Sequence, residues 1–330
     1  MAIPEVIKKP KSSPPSGRKN KIRSLRLVNL QTGEYVTILP NLGATVRELV
    51  LRHNNKLYSL LEAPRSVQGI IENKHYHGAK LAPFPGRIAG AAYQFEGKTY
   101  NLRANTADRL SAIHGSIFDK PFRLVKTIVK NRSASVLLDY FHSGKTKGYP
   151  FRFSLRVIYT LTDGAFACTT EIRNIDRKPL PIGDSWHPYF KTSGSVKHLR
   201  LSLPPHSVVE LTPSKIPTGK IGKQVKKRSM IPLKQKHLDS VIDLGEQRRR
   251  IATNLLDPRL GLRIELWQDA GKGRYRYLVL YMTPSGSSVA IEPWTCAPNA
   301  FNNKMGLIVL KPGRKFKASY GVVLKSLRSV

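Results

Sequence analysis

The sequence is poor in acidic residues, in cysteine and in long apolar runs, and each shortage excludes a class of protein. Its two cysteines, Cys168 and Cys296, are too few for a disulfide framework and lack the spacing of a zinc site, so both are expected to be buried thiols. Apolar runs such as 277–282 are too short to span a bilayer. The basic N-terminus lacks the apolar stretch of a secretory signal, so a cytoplasmic location is expected.

The shortage of acidic residues leaves a strongly basic chain. Lys and Arg number 56 against 21 Asp and Glu, a formal net charge of +35. Such a field attracts polyanions, but the cations are spread along the chain and no RNA-binding motif gathers them, which favours a solvated basic surface. Clusters occur at 8–23, 220–228 and 248–250. Nucleic-acid binding, if present, is expected to be weak, salt-sensitive and independent of sequence, and no membrane partner is expected.

Helical periodicity is also nearly absent, whereas short runs of β-branched and aromatic residues recur between Gly, Pro, Asn and Asp. The run at 151–159 alternates apolar residues with Arg152, Ser154 and Arg156, which predicts a strand with one buried and one solvated face. Similar runs occur at 35–39, 134–140, 261–267, 275–281 and 316–324. Many short strands with frequent turns predict an all-β protein, an antiparallel sandwich or barrel.

The composition changes once near the N-terminus. Residues 1–23 are rich in Pro, Ser and Lys and predict a flexible basic tail, because so few apolar residues cannot offset the entropy of ordering. Residues 24–330 are expected to form a single β-sandwich domain, since all-β domains often exceed roughly 200 residues. Within it, the segment 211–236 is rich in Pro, Gly and Lys and predicts a long surface loop.

Four distant segments carry polar residues that a strand scaffold does not need. They are 81–90 (LAPFPGRIAG), 110–115 (LSAIHG), 183–194 (GDSWHPYFKTSG) and 289–301 (VAIEPWTCAPNAF). In the third segment His187 lies among aromatic residues. In the fourth, a strand is predicted to end in Glu292, directly before Pro293. Imidazole titrates near neutral pH, and burial can tune the pKa of a carboxylate.

At these residues the sequence resembles the aldose 1-epimerase, or galactose mutarotase-like, family. The resemblance runs from Asn41 to Tyr320 and comprises seven motifs in the family's order: LGATV at 42–46, RIAG at 87–90, IHG at 113–115, GYP at 148–150, WHPYF at 186–190, LD at 238–239 and EPWT at 292–295. It implies a β-supersandwich of antiparallel sheets with a sugar site in a cleft on one face. It also implies an isomerase that interconverts the α and β anomers of a hexose.

The resemblance implies roles for five residues. Glu292 lies at the family's base position and His187 at its acid position. His114 corresponds to a second catalytic histidine, expected to hydrogen-bond the ring-oxygen side of the sugar. Arg87 and Asp239 match positions that hold sugar hydroxyl groups. The base would take the proton of the C1 hydroxyl and the acid would protonate the ring oxygen, so the ring opens and recloses, and no metal or organic cofactor is required.

Other interpretations of these residues stay open. Without the resemblance, His187 can be a hydrogen-bonded core residue, Glu292 can pair with a lysine, and His114 can simply shape a turn. Asp239 has Asp243 close by in the chain, and either carboxylate can balance the basic cluster. The aromatic residues of the motifs can stack on a sugar, although core packing is expected for most of them: Trp186, Tyr189, Phe190 and Trp294.

Two other functions also stay open. One is a hexose-6-phosphate 1-epimerase with an added basic phosphate site, and the other is a non-catalytic carbohydrate-binding protein of the same fold. The sequence departs from the family at Gly86, where many members have Asn before the arginine. This glycine removes one potential hydrogen bond to the sugar and leaves the substrate preference open.

Overall fold

The computed structural model describes residues 5–8, 22–192, 194–234 and 238–327. The strands in these ranges are β1 (Glu5–Lys8), β2 (Leu25–Val28), β3 (Tyr35–Leu39), β4 (Thr45–His53), β5 (Lys56–Ser59), β6 (Ala79–Leu81), β7 (Arg87–Ala89), β8 (Ala92–Phe95), β9 (Lys98–Asn101), β10 (Ser111–Ile113), β11 (Arg123–Lys130), β12 (Ser133–Ser143), β13 (Arg152–Thr162), β14 (Ala165–Asn174), β15 (Leu180–Ile182), β16 (Ser185–His187), β17 (Tyr189–Phe190), β18 (Arg200–Leu203), β19 (Ser207–Leu211), β20 (Pro217–Ile221), β21 (Ser229–Pro232), β22 (Asp239–Asp243), β23 (Arg249–Asp257), β24 (Leu262–Ala270), β25 (Tyr277–Met282), β26 (Val289–Trp294), β27 (Ile308–Leu310) and β28 (Lys315–Ser326). The helices are α1 (Val67–Glu72), α2 (Ala300–Asn303) and a 3-10 turn (Val196–His198).

Two large antiparallel sheets dominate the described part of the chain. One has nine strands in the order β11-β12-β13-β14-β28-β24-β23-β18-β21. The other has eight, in the order β20-β19-β22-β25-β26-β16-β6, with β17 also paired to β26. A five-stranded sheet, β1-β2-β3-β4-β5, and the pairs β7–β10, β8–β9 and β15–β27 complete the fold. No helix among the described residues has the length and apolar character needed to cross a membrane.

The alternation in the sequence explains how the strands of the large sheet are buried. In β13 every second residue from Phe153 to Leu161 is buried, and the residues between them are only partly buried. This period of two is that of a strand with one face on the core, as the sequence predicted. Both cysteines are free and buried, which confirms their predicted state.

The inner faces of the two large sheets pack around one apolar core. Trp186 of β16 lies between the sheets, with its ring centroid 5.3 Å from that of Tyr320 in β28 and 5.8 Å from that of Phe166 in β14. Rings of this size bury a large apolar area each. Because side chains alternate along a strand, the inward Trp186 leaves its neighbour His187 on the outer face of the eight-stranded sheet.

A buried polar network crosses this core beneath the outer face. Lys80 of β6 is fully buried and hydrogen-bonds Asp184, which also accepts a hydrogen bond of 2.6 Å from the hydroxyl of Tyr275. The ammonium of Lys80 lies 5.2 Å from the ring centroid of Tyr320. The backbone N–H of Asp184 donates to Oγ1 of Thr295 at 2.9 Å. The network therefore joins β6, the start of β16 and the end of β26.

The prediction of a long loop at 211–236 was wrong where β20 and β21 form. These two strands lie at the edges of the eight-stranded and nine-stranded sheets. Their side chains are mostly exposed or only partly buried, so no alternation of apolar and polar residues marks them in the sequence. Edge strands that carry lysine, as β20 does at Lys220, resist pairing with other chains.

Part of the predicted N-terminal tail lies outside the described residues. Of residues 1–23 the structure describes Ile22, Arg23 and β1, and β1 pairs antiparallel with β2. The flexibility of this tail and the single domain at 24–330 remain predictions.

Candidate active site

Strand register brings His187 and Glu292 together on the outer face of the eight-stranded sheet. Ser185 of β16 pairs with Trp294 of β26 in antiparallel register. Two residues further along, His187 therefore comes opposite Glu292. The predicted strand end at Glu292 was wrong, because β26 continues through Pro293 to Trp294. The proline is accommodated where the pairing of β26 with β16 and β17 is interrupted.

The two side chains are in contact and nearly inaccessible to solvent. Nε2 of His187 lies 3.5 Å from Oε2 of Glu292, and the side chains are 8% and 2% exposed. The same Oε2 accepts a hydrogen bond of 3.0 Å from the indole Nε1 of Trp294. No hydrogen bond among the described residues reaches Nδ1 of His187, which is buried.

Burial shifts the pKa values of the two groups in opposite directions. Desolvation raises the pKa of Glu292 well above its usual value, with a smaller increase from the charge of Asp239 and an opposing effect of the Trp294 hydrogen bond. Desolvation also lowers the pKa of His187 well below its usual value, and His114 adds to that effect. Both shifts disfavour the charged forms. A carboxylate here is a stronger base, and an imidazolium a stronger acid, than in water.

His114 lies beside His187 and is held as a neutral donor. Its ring centroid is 5.3 Å from that of His187, in an edge-on arrangement. The backbone N–H of Gly86 donates to Nδ1 of His114 at 3.2 Å, so the proton of the neutral ring belongs on Nε2. Burial, followed by the charge of Arg87, lowers the pKa of His114 to about 3. The imidazole therefore stays uncharged at neutral pH.

The other two predicted residues flank this centre. Arg87 pairs in β7 with Ile113 of β10, next to His114, and its charge contributes to the lowered pKa of that histidine. Asp239 begins β22, where Nζ of Lys215 lies 2.7 Å from its Oδ2. Its charge reaches Glu292 strongly enough to raise the pKa of that carboxyl. The structure thus gathers all five predicted residues around one outer face.

Two rings that the sequence did not single out, those of Tyr76 and His77, line this face together with Tyr189. Tyr76 has its ring centroid 4.5 Å from that of His114 and 6.4 Å from that of His187. Tyr189 stacks on His187 at 4.9 Å, and His77 lies 4.3 Å from Tyr189. Tyr76 lies in a turn, has a φ of 58° and is flanked by two histidines in the sequence. This run of three ring-bearing residues was the sequence signal that could have identified it.

Core packing was predicted for most aromatic residues of the motifs, and the structure divides them. Trp186 and Phe190 are fully buried in the core between the large sheets. Tyr189 and Trp294 are also buried, but they contact His187 and Glu292 respectively. Alternation along the strands separates the two groups.

Two grooves in the described surface lie away from these residues. One, of ≈ 800 Å³, is on the outer face of the nine-stranded sheet and is lined by opposite charges such as Asp139 and Arg156. The other, of ≈ 410 Å³, lies by Tyr277 and Met305. Neither is lined by any of the five predicted site residues. The candidate site is therefore assigned by its chemistry and not by the volume of a groove.

Comparison with known proteins decides the family. The model of the aldose 1-epimerase family matches residues 26–322. The chain belongs to the aldose 1-epimerase family. It is accordingly an isomerase that acts on carbohydrates, as the sequence motifs predicted. Among curated relatives, the uncharacterized protein YihR of Escherichia coli is 24% identical over 314 residues, covering 89% of this chain and 92% of the relative.

Another curated relative and two structural neighbours carry more specific names. A maltose epimerase of Levilactobacillus brevis is 28% identical over 196 residues, which cover 58% of this chain and 56% of the relative. A galactose mutarotase-like protein of Clostridium acetobutylicum has a TM-score of 0.83 at 19% identity, covering 98% of this chain and 99% of the other. A galactose 1-epimerase of Lactobacillus acidophilus gives 0.77 at 18%, covering 99% and 100%. These structures confirm the predicted all-β, galactose mutarotase-like fold.

Proposed function

We propose that this member of the aldose 1-epimerase family interconverts the α and β anomers of a hexose, with Glu292 as general base and His187 as general acid. The observation that carries the proposal is the 3.5 Å contact between Nε2 of His187 and Oε2 of Glu292 on one buried face. The C1 hydroxyl and the ring oxygen are bonded to the same carbon, so a base and an acid that serve both oxygens have to be neighbours.

The reaction transfers one proton in and one proton out. Glu292 takes the proton of the C1 hydroxyl while the bond between C1 and the ring oxygen breaks, and His187 gives a proton to that ring oxygen. The open-chain aldehyde turns about its C1–C2 bond. The ring oxygen then attacks the other face of C1, His187 regains its proton, and the carboxylic acid of Glu292 returns a proton to the new C1 hydroxyl. No atom is gained or lost.

The opposed pKa shifts favour the ring-opening half of this exchange. Ring opening starts with His187 protonated and Glu292 ionised, and after it the pair again carries one proton, now on Glu292. A raised pKa of Glu292 makes its carboxylate readier to take a proton, and a lowered pKa of His187 makes its imidazolium readier to release one. The shifts therefore favour the proton transfers of ring opening, and ring closure, which returns a proton to His187, runs against them.

The flanking residues would hold the sugar. His114, with its N–H on Nε2, can donate to an oxygen on the ring side of the sugar without bringing a charge. Arg87 donates to hydroxyl groups and Asp239 accepts from them, with Lys215 beside it. The ring of Tyr76 offers an apolar face against which the C–H groups of a sugar can pack.

The test is a time course of anomerisation with freshly dissolved α-glucose and α-galactose, followed by polarimetry or by NMR of the anomeric proton. The wild-type protein is expected to shorten the equilibration time. Glu292→Gln should remove nearly all of this acceleration, because the amide has a similar shape and cannot accept the proton. A comparable loss is expected for His187→Asn.

The matched control is Glu265→Gln on the outer face of the nine-stranded sheet, where Glu265 pairs with Lys325. This variant should keep wild-type activity. Circular dichroism and the melting temperature of each variant show whether the fold is retained. An undiminished rate in Glu292→Gln rejects Glu292 as the base. No acceleration of either sugar by the wild type contradicts the proposed reaction and leaves phosphorylated hexoses or sugar binding without turnover.

A further inference from the structure

Trp294 and Gly86 form a contact next to the proposed base. The indole Nε1 of Trp294 donates to Oε2 of Glu292, and the far edge of the same ring lies over Gly86. A Cβ atom at position 86 would come within 2.5 Å of Cζ3 and 2.7 Å of Cη2 of Trp294. These separations are far below van der Waals contact. Any side chain at position 86 would therefore displace the indole ring.

The backbone of Gly86 does not by itself demand glycine. Its φ is 71°, in the left-handed region that asparagine also adopts readily. The N–H of Gly86 donates to Nδ1 of His114, and its carbonyl accepts from the N–H of His114 at 3.1 Å. An asparagine at this position can keep both backbone bonds. The ring of Trp294, and not the turn, is what excludes a side chain here.

The contacts of Glu292 are uneven between its two oxygens. Both Trp294 and His187 contact Oε2, and no hydrogen bond among the described residues reaches Oε1. A carboxylate held through one oxygen presents the other in a fixed direction. Trp294 thus determines which oxygen of Glu292 is available to a substrate.

We infer that Trp294 is a positioning residue that holds Oε2 of Glu292 so that Oε1 acts as the base, and that Gly86 is required because it leaves room for the indole ring. This inference rests on the proposed anomerisation. It assigns Trp294 a role through Glu292 and none in direct contact with the sugar.

The charged and titratable groups that face Glu292 come from several elements. His187 lies opposite on β16, Tyr189 follows on β17, and Asp239 with its partner Lys215 approaches from β22 and the turn before β20. His114 also faces the side chain of Trp294, with the two ring centroids 6.0 Å apart in an edge-on arrangement. The hydrogen bond from the indole stabilises the charged carboxylate, so its loss raises the pKa of Glu292 further.

The first experiment compares Trp294→Phe with Trp267→Phe as a matched control. Trp267 lies on β24 of the nine-stranded sheet. Cζ of Arg250, on the neighbouring β23, lies 4.0 Å from the centroid of its ring. Trp294→Phe removes one hydrogen bond to a charged group. It is therefore expected to lower kcat roughly tenfold with little change in KM. The acid limb of its pH profile should move to higher pH. Trp267→Phe should match the wild type in all three measurements.

A merely structural role for Trp294 would lower the amount of folded enzyme and leave the pH profile in place. Trp294→Gln provides the rescue, because its shorter side chain retains an N–H donor for Glu292. We expect Trp294→Gln to bring the acid limb back toward that of the wild type. An unshifted acid limb together with an unchanged kcat in Trp294→Phe overturns the inference.

The role of Gly86 is tested by a double variant. Gly86→Asn alone should lose most activity, because the new side chain drives the indole away from Glu292. Gly86→Asn with Trp294→Gln should be several-fold more active than Gly86→Asn, since the smaller side chain at 294 leaves space for the asparagine. Full activity of Gly86→Asn, or a double variant no better than Gly86→Asn, refutes the pairing.

The contact can also be measured without turnover. In a ¹H–¹⁵N spectrum, the indole N–H signal of Trp294 is expected to shift with pH as Glu292 titrates and to lose that shift in Glu292→Gln. A titrating signal in a protein that accelerates no sugar would leave the contact intact and reject the proposed function. A pH-independent signal in an active enzyme would reject the positioning role and leave the proposed function standing.

Discussion

His114 shows how a single residue can combine a backbone and an electrostatic function. It adopts a φ of 63°, its backbone N–H donates to the carbonyl of Gly86, and its ring Nδ1 accepts from the N–H of Gly86. Its ring is buried beside the proposed acid, and its pKa is lowered to about 3. A neutral imidazole with a fixed tautomer can donate to an oxygen without repelling an imidazolium at His187.

This lowered pKa has a consequence for stability. Between pH 6.5 and 3 the histidine takes up a proton in the unfolded chain and not in the folded protein, so stability falls as the pH is lowered through this range. We expect the free energy of unfolding to fall by about 1.4 kcal/mol more per pH unit in wild type than in His114→Asn. Asparagine is chosen because its Oδ1 can accept the Gly86 N–H.

The measurement is urea denaturation of both proteins between pH 6 and 4, a range inside the expected window. Glu292, whose raised pKa acts with the opposite sign, is present in both and cancels in the comparison. Equal slopes of unfolding free energy against pH in the two proteins would show that His114 is protonated in the folded state. The lowering of its pKa by burial would then be wrong.

At the scale of strands, the buried network of Lys80 fixes the elements that carry the site. Lys80 and Asp184 are almost completely inaccessible, and Oδ1 of Asp184 has no hydrogen-bond partner among the described residues. Removing one partner of a buried ion pair leaves the other charge unsolvated. Lys80→Met is therefore expected to cost about 3–5 kcal/mol of unfolding free energy.

The double variant Lys80→Met/Asp184→Asn separates charge from shape. Its loss of stability should be smaller than the sum of the two single losses, because neither charge is then left without a partner. Lys325→Met, which breaks a partly exposed ion pair with Glu265, serves as the control and should cost less than about 1 kcal/mol. Similar costs for the two lysine variants, measured by urea unfolding, would show that burial of Lys80 adds nothing.

Strands with at least one buried face could be predicted from the sequence, and the exposed edge strands β20 and β21 could not. β13 was predicted because its apolar residues alternate with polar ones, and the apolar residues form the face that packs on the core. β20 and β21 were missed because backbone hydrogen bonds to one neighbour hold them, and such bonds leave no mark in side-chain composition. The five site residues were named through the family resemblance.

Their arrangement depends on register between distant strands. That His187 lies opposite Glu292 follows from the pairing of Ser185 with Trp294, more than a hundred residues away in the chain, and no local pattern encodes it. The same holds for the contact of Gly86 with Trp294, which gives a physical reason for a glycine that the sequence showed only as a departure from the family.

At the scale of the whole molecule, some of the many basic residues lie next to acidic residues in a row across neighbouring strands. On the outer face of the nine-stranded sheet, register aligns residues of alternating sign across five strands: Arg123, Asp139, Arg156, Glu171 and Lys317. Neighbours of opposite sign stabilise a sheet, and the row presents no uniform basic surface to a polyanion. The excess cations lie elsewhere, including the exposed lysines at 220–227.

This distribution predicts how the protein responds to salt. A labelled random-sequence oligonucleotide should bind measurably at roughly 50 mM salt and lose almost all affinity by roughly 200 mM, since binding to dispersed cations depends on counterion release. The rate of glucose anomerisation should be the same at both concentrations, because the substrate is neutral and the His187–Glu292 contact is buried. Salt-resistant or sequence-selective binding would reveal a built nucleic-acid site. The same assay with a hexose 6-phosphate tests the other role of the charge. If its rate exceeded the glucose rate at low salt and fell as salt was added, the basic surface would serve to attract a phosphorylated substrate.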